Sequence, residues 1–159
     1  MEVFTVSFFG HRQLDHYFDI EKQLETMVKS IITSEDYVEF LVGRDGDFDQ
    51  IASSTIRRII QANDYGTSSL VLILPYMTAE YRNNQDNFHK YYDYVEICSE
   101  SAKSHYKAAI QVRNRYMIDR SDLVICYIER KSGGAYKSVQ YALTQGKNVK
   151  NIACSTIFE

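Results

Sequence analysis

The sequence predicts a three-layer α/β fold, an open parallel sheet of five or six strands with helices on both faces. Three observations predict it. Short runs rich in Val, Ile, Leu and Phe alternate along the chain with longer stretches whose apolar residues recur at helical spacing. One of these runs, residues 69–74, is continuously apolar, as a strand buried on both faces is. Glycine follows three of the runs closely, at Gly10, Gly43 and Gly133-Gly134. Alternation of this kind makes parallel crossovers within one sheet of Rossmann-like build.

The elements follow in order. Residues 3–9 are β-rich and stop at Gly10, a first buried strand. Ile20, Leu24, Met27, Val28, Ile31 and Ile32 mark one face of a helix. Residues 37–42 form a second strand, stopped by Gly43. Phe48, Ile51, Ala52, Ile56, Ile59 and Ile60 repeat the helical spacing, with Asp45 or Asp47 as its cap. The third strand, 69–74, ends at Pro75, the single proline. Residues 76–92 are polar and tyrosine-rich and are expected to form a short helix or excursion. A brief fourth strand is expected over 94–98. Residues 100–120 read as one helix, with Ala102, Tyr106, Ala109, Ile110 and Met117 on one side. A fifth strand over 123–128, a helix over 135–145 closed by Gly146, and a last strand over 149–153 complete the pattern. No linker or repeat interrupts it, so residues 1–159 are expected to be one domain. The first strand should be central, between the second and the fifth, because only there do the three glycine loops converge.

Composition limits the function. The chain has 159 residues, 45% of them hydrophobic and 25% charged, enough for a real core. Lys plus Arg number 18 against 21 for Asp plus Glu, a net charge of −3. That argues against general nucleic-acid binding, which favours a basic stripe, but leaves room for a small anion. Cys98, Cys126 and Cys154 are unpaired by spacing; Cys126 and Cys154 sit in strand-like apolar runs, where Cys acts as a small hydrophobe. No signal-peptide pattern opens the chain, and no apolar run is long enough to span a bilayer. A cytoplasmic protein without membrane partners is expected.

In an open parallel sheet, ligands bind beyond the carboxyl ends of the strands. Gly10-His11-Arg12 follows the first strand: the glycine allows a tight turn, Arg12 suits a phosphate, and His11 can bond a ribose hydroxyl or phosphate. Taken alone, a plain turn with a solvated arginine explains it as well. Gly43-Arg44-Asp45-Gly46-Asp47-Phe48-Asp49 follows the second strand. Asp49 can accept from ribose hydroxyls, while Asp45 and Asp47 equally suit the positive end of a helix. The carboxylate spacing fails as a calcium loop, since Gln50 and Ile56 stand where Gly and Glu are needed. Ser132-Gly133-Gly134 opens a helix and offers N–H groups to a phosphate, near Arg113-Asn114 before the fifth strand. No GxGxxG, Walker A loop, GxSxG or HExxH occurs, and the four histidines lack zinc spacing; neither metal nor cofactor is expected. The 13 tyrosines suit base stacking and a dimer interface equally.

FFGHR after the first strand, VGRDGDFDQIASS after the second, LPY after the third, and RNRYMIDRSDLVI and KSGGAYKSVQYALTQGK around the fifth occur in one order over nearly the whole chain. They resemble the SLOG family, named for the DNA-processing protein and the LOG enzymes, the cytokinin-activating phosphoribohydrolases, and within it a branch of small bacterial and phage proteins. The resemblance implies a Rossmann-like sheet and binding of nucleotides or ADP-ribose-like molecules. Some members hydrolyse a nucleotide N-glycosidic bond, and others sense or sequester a signalling nucleotide. It carries over to Gly10, His11 and Arg12 as the first turn, Gly43 and Asp49 as the ends of the second loop, Arg113 and Asn114 as the RN pair, and Gly133 and Gly134 as the second glycine pair. The hydrolase branch has PGGxGTxxE where this chain has Ser132 to Gln140. Gln140 replaces its Glu, and a neutral amide neither stabilises an oxocarbenium charge nor acts as a base.

The expected function is therefore non-catalytic binding of a nucleotide or ADP-ribose-like ligand at the carboxyl ends of the strands. Arg12 and the Gly133-Gly134 N–H groups would hold its phosphate. The alternative is a ribosyl-transferring or N-glycosidase enzyme using Asp49 or Glu80, and a third reading is an interaction module with a vestigial pocket. A homodimer or higher oligomer is expected, since related members associate and residues 76–94 offer aromatic surface.

Overall fold

In a computed structural model, which describes residues 2–63, 66–153 and 157–158, six strands form one parallel sheet in the order β4-β3-β2-β1-β5-β6. They are β1 (Val3–Gly10), β2 (Tyr37–Val42), β3 (Ser68–Leu74), β4 (Tyr94–Ile97), β5 (Leu123–Tyr127) and β6 (Asn148–Asn151). The expected placement of β1 between β2 and β5 holds, with Val3 opposite Tyr37 and Gly10 opposite Tyr127.

Helices cover both faces, as expected. Successive side chains of a strand point to opposite faces, and the core divides accordingly. Val6 and Phe8 of β1, Leu70, Leu72 and Leu74 of β3, and Ile125 of β5 pack against α1 (Tyr17–Ser34), α2 (Asp47–Ala62) and Phe88. Phe9, Val71, Ile73, Val124 and Cys126 pack on the other face, where Met117, Ile118, Val139 and Ala142 meet them. Burial pushes the Cys126 thiol up to about 12, consistent with its reading as a small hydrophobe; Cys154 lies outside the described residues.

The excursion after β3 becomes two short helices, α3 (Ala79–Asn83) and α4 (Gln85–Tyr91), on the α1–α2 face. Thr78 caps α3 by accepting from the Tyr81 N–H at 3.1 Å. Tyr81, Phe88 and Tyr92 are buried and pack edge to face or tilted on one another. Much of the expected aromatic surface is thus core.

Two further expectations are corrected. The stretch 100–120 is not one helix: α5 (Ser99–Ala102) ends at Lys103, and α6 (Tyr106–Arg120) restarts after His105, whose ring accepts from the Lys107 N–H. α6 buries Ala109, Arg113, Asn114, Met117 and Ile118, while Tyr106, on the same face by spacing, is the first residue of the helix and is exposed. Neither Asp45 nor Asp47 caps α2, which starts after an extended Gly46. Asp47 instead accepts from the Leu14 N–H at 3.0 Å and the Tyr17 hydroxyl at 2.6 Å, tying α1 to α2. The last helix, α7 (Gly134–Thr144), starts just after Gly133. Each helix that follows a strand directly begins at the carboxyl edge of the sheet, so the N-termini of α1, α2 and α7 share that edge. No described helix is long and apolar enough to cross a membrane.

Candidate functional site

The ends of β1 and β2, the loop after β5, and α6 enclose a cleft of about 460 Å³. It lies at the reversal of strand order beside β1, where an open parallel sheet leaves a crevice. Gly10, His11, Arg12, Gly43, Asp49, Arg113, Asn114, Ser132, Gly133 and Gly134 all line it. Of the residues expected to bind the ligand, Arg44 alone is elsewhere.

The first loop approaches α2 closely. A Cβ on Gly10 would stand 2.3 Å from Cγ of Phe48. His11 is buried, and its Nε2 accepts the Glu129 N–H at 2.9 Å. Burial lowers its pKa, as does Arg130, so the ring is neutral and straps the first loop to the one after β5. That bond occupies one of the two ring nitrogens that could make a ribose or phosphate contact. Arg12 extends into solvent at the cleft rim.

The inner wall is a chain of bonds. Arg113 is 2% exposed, with Nε donating to Asn114 Oδ1 at 2.9 Å, Nη1 to the Ile73 carbonyl at 2.8 Å, and Nη2 to the Asp45 carboxylate. Asn114 donates to Ser138 Oγ at 3.0 Å, and Ser138 donates to the Gly134 carbonyl at 2.9 Å. The Arg-Asn pair thus joins the β2–α2 loop to the start of α7. Asp49 accepts the Asp45 N–H at 2.8 Å. Burial pushes its carboxyl up to about 6, opposed by the bond from the Asp45 N–H and by the charges of Arg113 and Arg12, while the Asp45 charge adds to the rise.

The outer wall is Gly133, whose φ of +96° lies in the region that favours glycine, followed by the first turn of α7. The opening N–H groups of that helix have no partners within it and attract anions. Lys107 and Arg130, with Arg12, put three exposed cations around the cleft. Sequence reasoning missed Lys107, Arg130 and Ser138. The place of Arg130, just past β5, was a usable signal; Ser138 had none. Gln140 is exposed and donates to the Tyr136 hydroxyl at 2.9 Å, outside the cleft.

A second cleft, about 800 Å³, runs between α1, α2 and the α3–α4 pair. Arg44 lies here: Nε donates to Glu80 at 2.7 Å, Nη1 to the Tyr92 hydroxyl at 3.0 Å, and the guanidinium covers the Phe88 ring. The bond from Arg44 holds the Glu80 carboxyl below its usual range. Glu21, Asp47, Asp49 and Glu80 make this cleft acidic. Asp49 and Gly43 line both clefts, whereas Glu80 lines only the second. Among the described residues no group of His, Cys, Asp and Glu is arranged to hold a metal ion.

No curated protein matches the chain. Solved structures share its fold. DNA processing protein A from Streptococcus pneumoniae superposes with a TM-score of 0.68 at 15% identity, covering 98% of this chain and 52% of that one. DNA processing protein A from Helicobacter pylori, described for its single-stranded DNA binding mode, gives 0.63 at 15% identity over 92% of this chain and 63% of that one. The chain therefore spans half to under two thirds of these neighbours.

They overturn the expected function and partners. The expectation was a small nucleotide-type ligand, sensed, sequestered or cleaved, with general nucleic-acid binding excluded. A neighbour of the same fold is described as binding single-stranded DNA, so neither half of that expectation stands. The exclusion rested on net charge, which averages over the surface and is blind to cations gathered at one edge. The sequence matches the YspA SLOG family over residues 4–158, and the chain belongs to that family.

Proposed function

We propose that this chain binds single-stranded DNA across the carboxyl edge of its sheet, with backbone phosphates in the β1–β5 cleft. The observation that carries the reading is the contrast between the two clefts. The smaller one has Arg12, Lys107 and Arg130 exposed around the opening N–H groups of α7. Two carboxylates, Asp45 and Asp49, line it against four cations, Arg12, Lys107, Arg113 and Arg130. The larger cleft is lined by four carboxylates, counting the shared Asp49, against Arg44, a charge balance that disfavours phosphate. The fold likeness to DNA processing protein A supports the same assignment. We read residues 1–159 as one such domain working in the cytoplasm.

Fluorescence anisotropy of a labelled oligothymidylate, repeated over a range of salt, tests this. Each phosphate neutralised on a single strand contributes a slope of about −0.7 in log K against log salt, so three contacts give about −2. Arg12→Glu should weaken binding and flatten the slope, and Glu80→Gln in the other cleft should change neither. Salt-independent binding, or equal affinity in Arg12→Glu, refutes the assignment.

A further inference from the structure

The sequence places Tyr106 on the buried side of a helix, yet its ring is 67% exposed. The restart after His105 makes it the first residue of α6, where it is left exposed. It does not stand alone. The His105 ring lies against it, with centroids 4.8 Å apart and planes 28° from parallel. His105 is itself oriented, its Nδ1 accepting the Lys107 N–H at 3.3 Å. Lys107, the next residue along, lines the phosphate cleft. A single exposed aromatic is ordinary; an exposed, pre-stacked pair joined to a cleft cation is the arrangement that single-strand binders combine, a ring for a base beside a charge for the backbone.

We propose that the His105–Tyr106 pair is a nucleobase-stacking subsite, which takes one unstacked base of a strand whose phosphates lie by Lys107 and Arg12. This rests on the single-stranded DNA reading above. The subsite selects for single strands, because the base faces of a duplex are covered by their neighbours. It tolerates every base, since each has a π face and no donor or acceptor pattern is read. Phe18, also 68% exposed, differs in its place: it lies on α1, which walls the acidic cleft.

The chain has no tryptophan, so Tyr106→Trp introduces a single reporter at the subsite. Its emission should be quenched by oligothymidylate and not by an abasic strand of equal length. Tyr106→Ala should bind oligothymidylate about tenfold more weakly, within the range for loss of one stacked base. It should bind the abasic strand as the native chain does. Tyr106→Phe should keep native affinity, and so should Phe18→Ala. Native affinity in Tyr106→Ala, with Arg12→Glu still weakened, overturns the subsite and leaves the phosphate assignment standing. If the native chain binds no oligonucleotide at all, both fall together.

Discussion

Arg113 Nη1 donates to the carbonyl oxygen of Ile73 at 2.8 Å, across the end of β3, from a side chain only 2% exposed. The same guanidinium holds Asn114 and the Asp45 carboxylate. One buried charge therefore ties α6, β3 and the β2–α2 loop into the back of the cleft.

Removing it leaves Asp45 without its cation and the Ile73 carbonyl without this donor. Arg113→Ala should destabilise the fold by about 3–5 kcal/mol, the cost of breaking one side of a buried pair. Arg113→Lys should recover little, because a single ammonium cannot reach three acceptors held in the fork geometry of arginine. Urea unfolding followed by circular dichroism measures both. A loss under about 1 kcal/mol in Arg113→Ala is too small for a broken buried pair and would show that the network does not hold the loops.

Asp49 supplies a pH dependence. Its folded pKa is raised from 3.8 to about 6. A raised value means its contribution to stability is complete below 3.8 and is lost as pH rises through about 6. His11 has a lowered value, so its contribution is complete above 6.5 and is lost as pH falls through its folded value. Comparing the native chain with Asp49→Asn isolates the first effect, since the amide oxygen can still accept the Asp45 N–H. The variant should be the more stable of the two above pH 6 and lose that advantage below it. Oligothymidylate affinity should follow the same pattern: native binding weakens as the carboxylate forms near the phosphates, and Asp49→Asn removes that step. Parallel pH profiles for the two proteins would contradict it.

Sequence pattern revealed the strands because hydrophobic runs and glycine stops are local signals, and the switch-point cleft followed from topology alone. Gly10, Gly43 and Gly133 converge there as their places after β1, β2 and β5 require. What was not legible depended on partners distant in sequence. Arg44 and Arg12 look alike as arginines after a strand, but Glu80 and Tyr92 draw Arg44 into the other cleft. His11 was legible as a residue of the first loop, but the bond its Nε2 accepts from the Glu129 N–H was not. Asp47 fits a cap until the Tyr17 hydroxyl claims it. Tyr106 shares the face of Ala109 and Met117, which are buried, but it is the first residue of α6, and 3.6-residue counting cannot see that a helix begins there.

Gly46 sets the position of Arg12. A Cβ there would stand 2.5 Å from the Arg12 Cα, and the Asp47 N–H donates to the Arg12 carbonyl at 2.9 Å. The neighbour is backbone and cannot swing aside. Gly46→Ala should push the Arg12 loop outward, cost about 1–3 kcal/mol as overpacking does, and weaken oligothymidylate binding. Gly134→Ala is the contrast: its Cβ would meet only Gln111 Nε2, at 2.8 Å, the movable end of a side chain. Thermal unfolding and anisotropy on both variants should separate them, and equal behaviour would sink the account of Gly46.

The tyrosines of α3 and α4 are largely committed to the core, which moves the available aromatic surface to the sheet edge. β4 is an edge strand, and Tyr94 and Ile97 on it are 59% and 37% exposed, with Tyr76 39% and Met77 38% exposed on the loop after β3. An open strand edge carrying apolar side chains invites pairing with another chain, and a two-fold axis at that edge would pair β4 with its own copy through one self-complementary patch. Such a dimer would keep the carboxyl edge of both sheets open for DNA. Light scattering should report a dimer for the native chain. Tyr94→Lys should give a monomer, since a charge on an edge strand disfavours pairing, with its thermal stability and oligothymidylate affinity per chain retained. A native monomer at high protein concentration, or a dimer that survives Tyr94→Lys, would place the interface elsewhere or remove it.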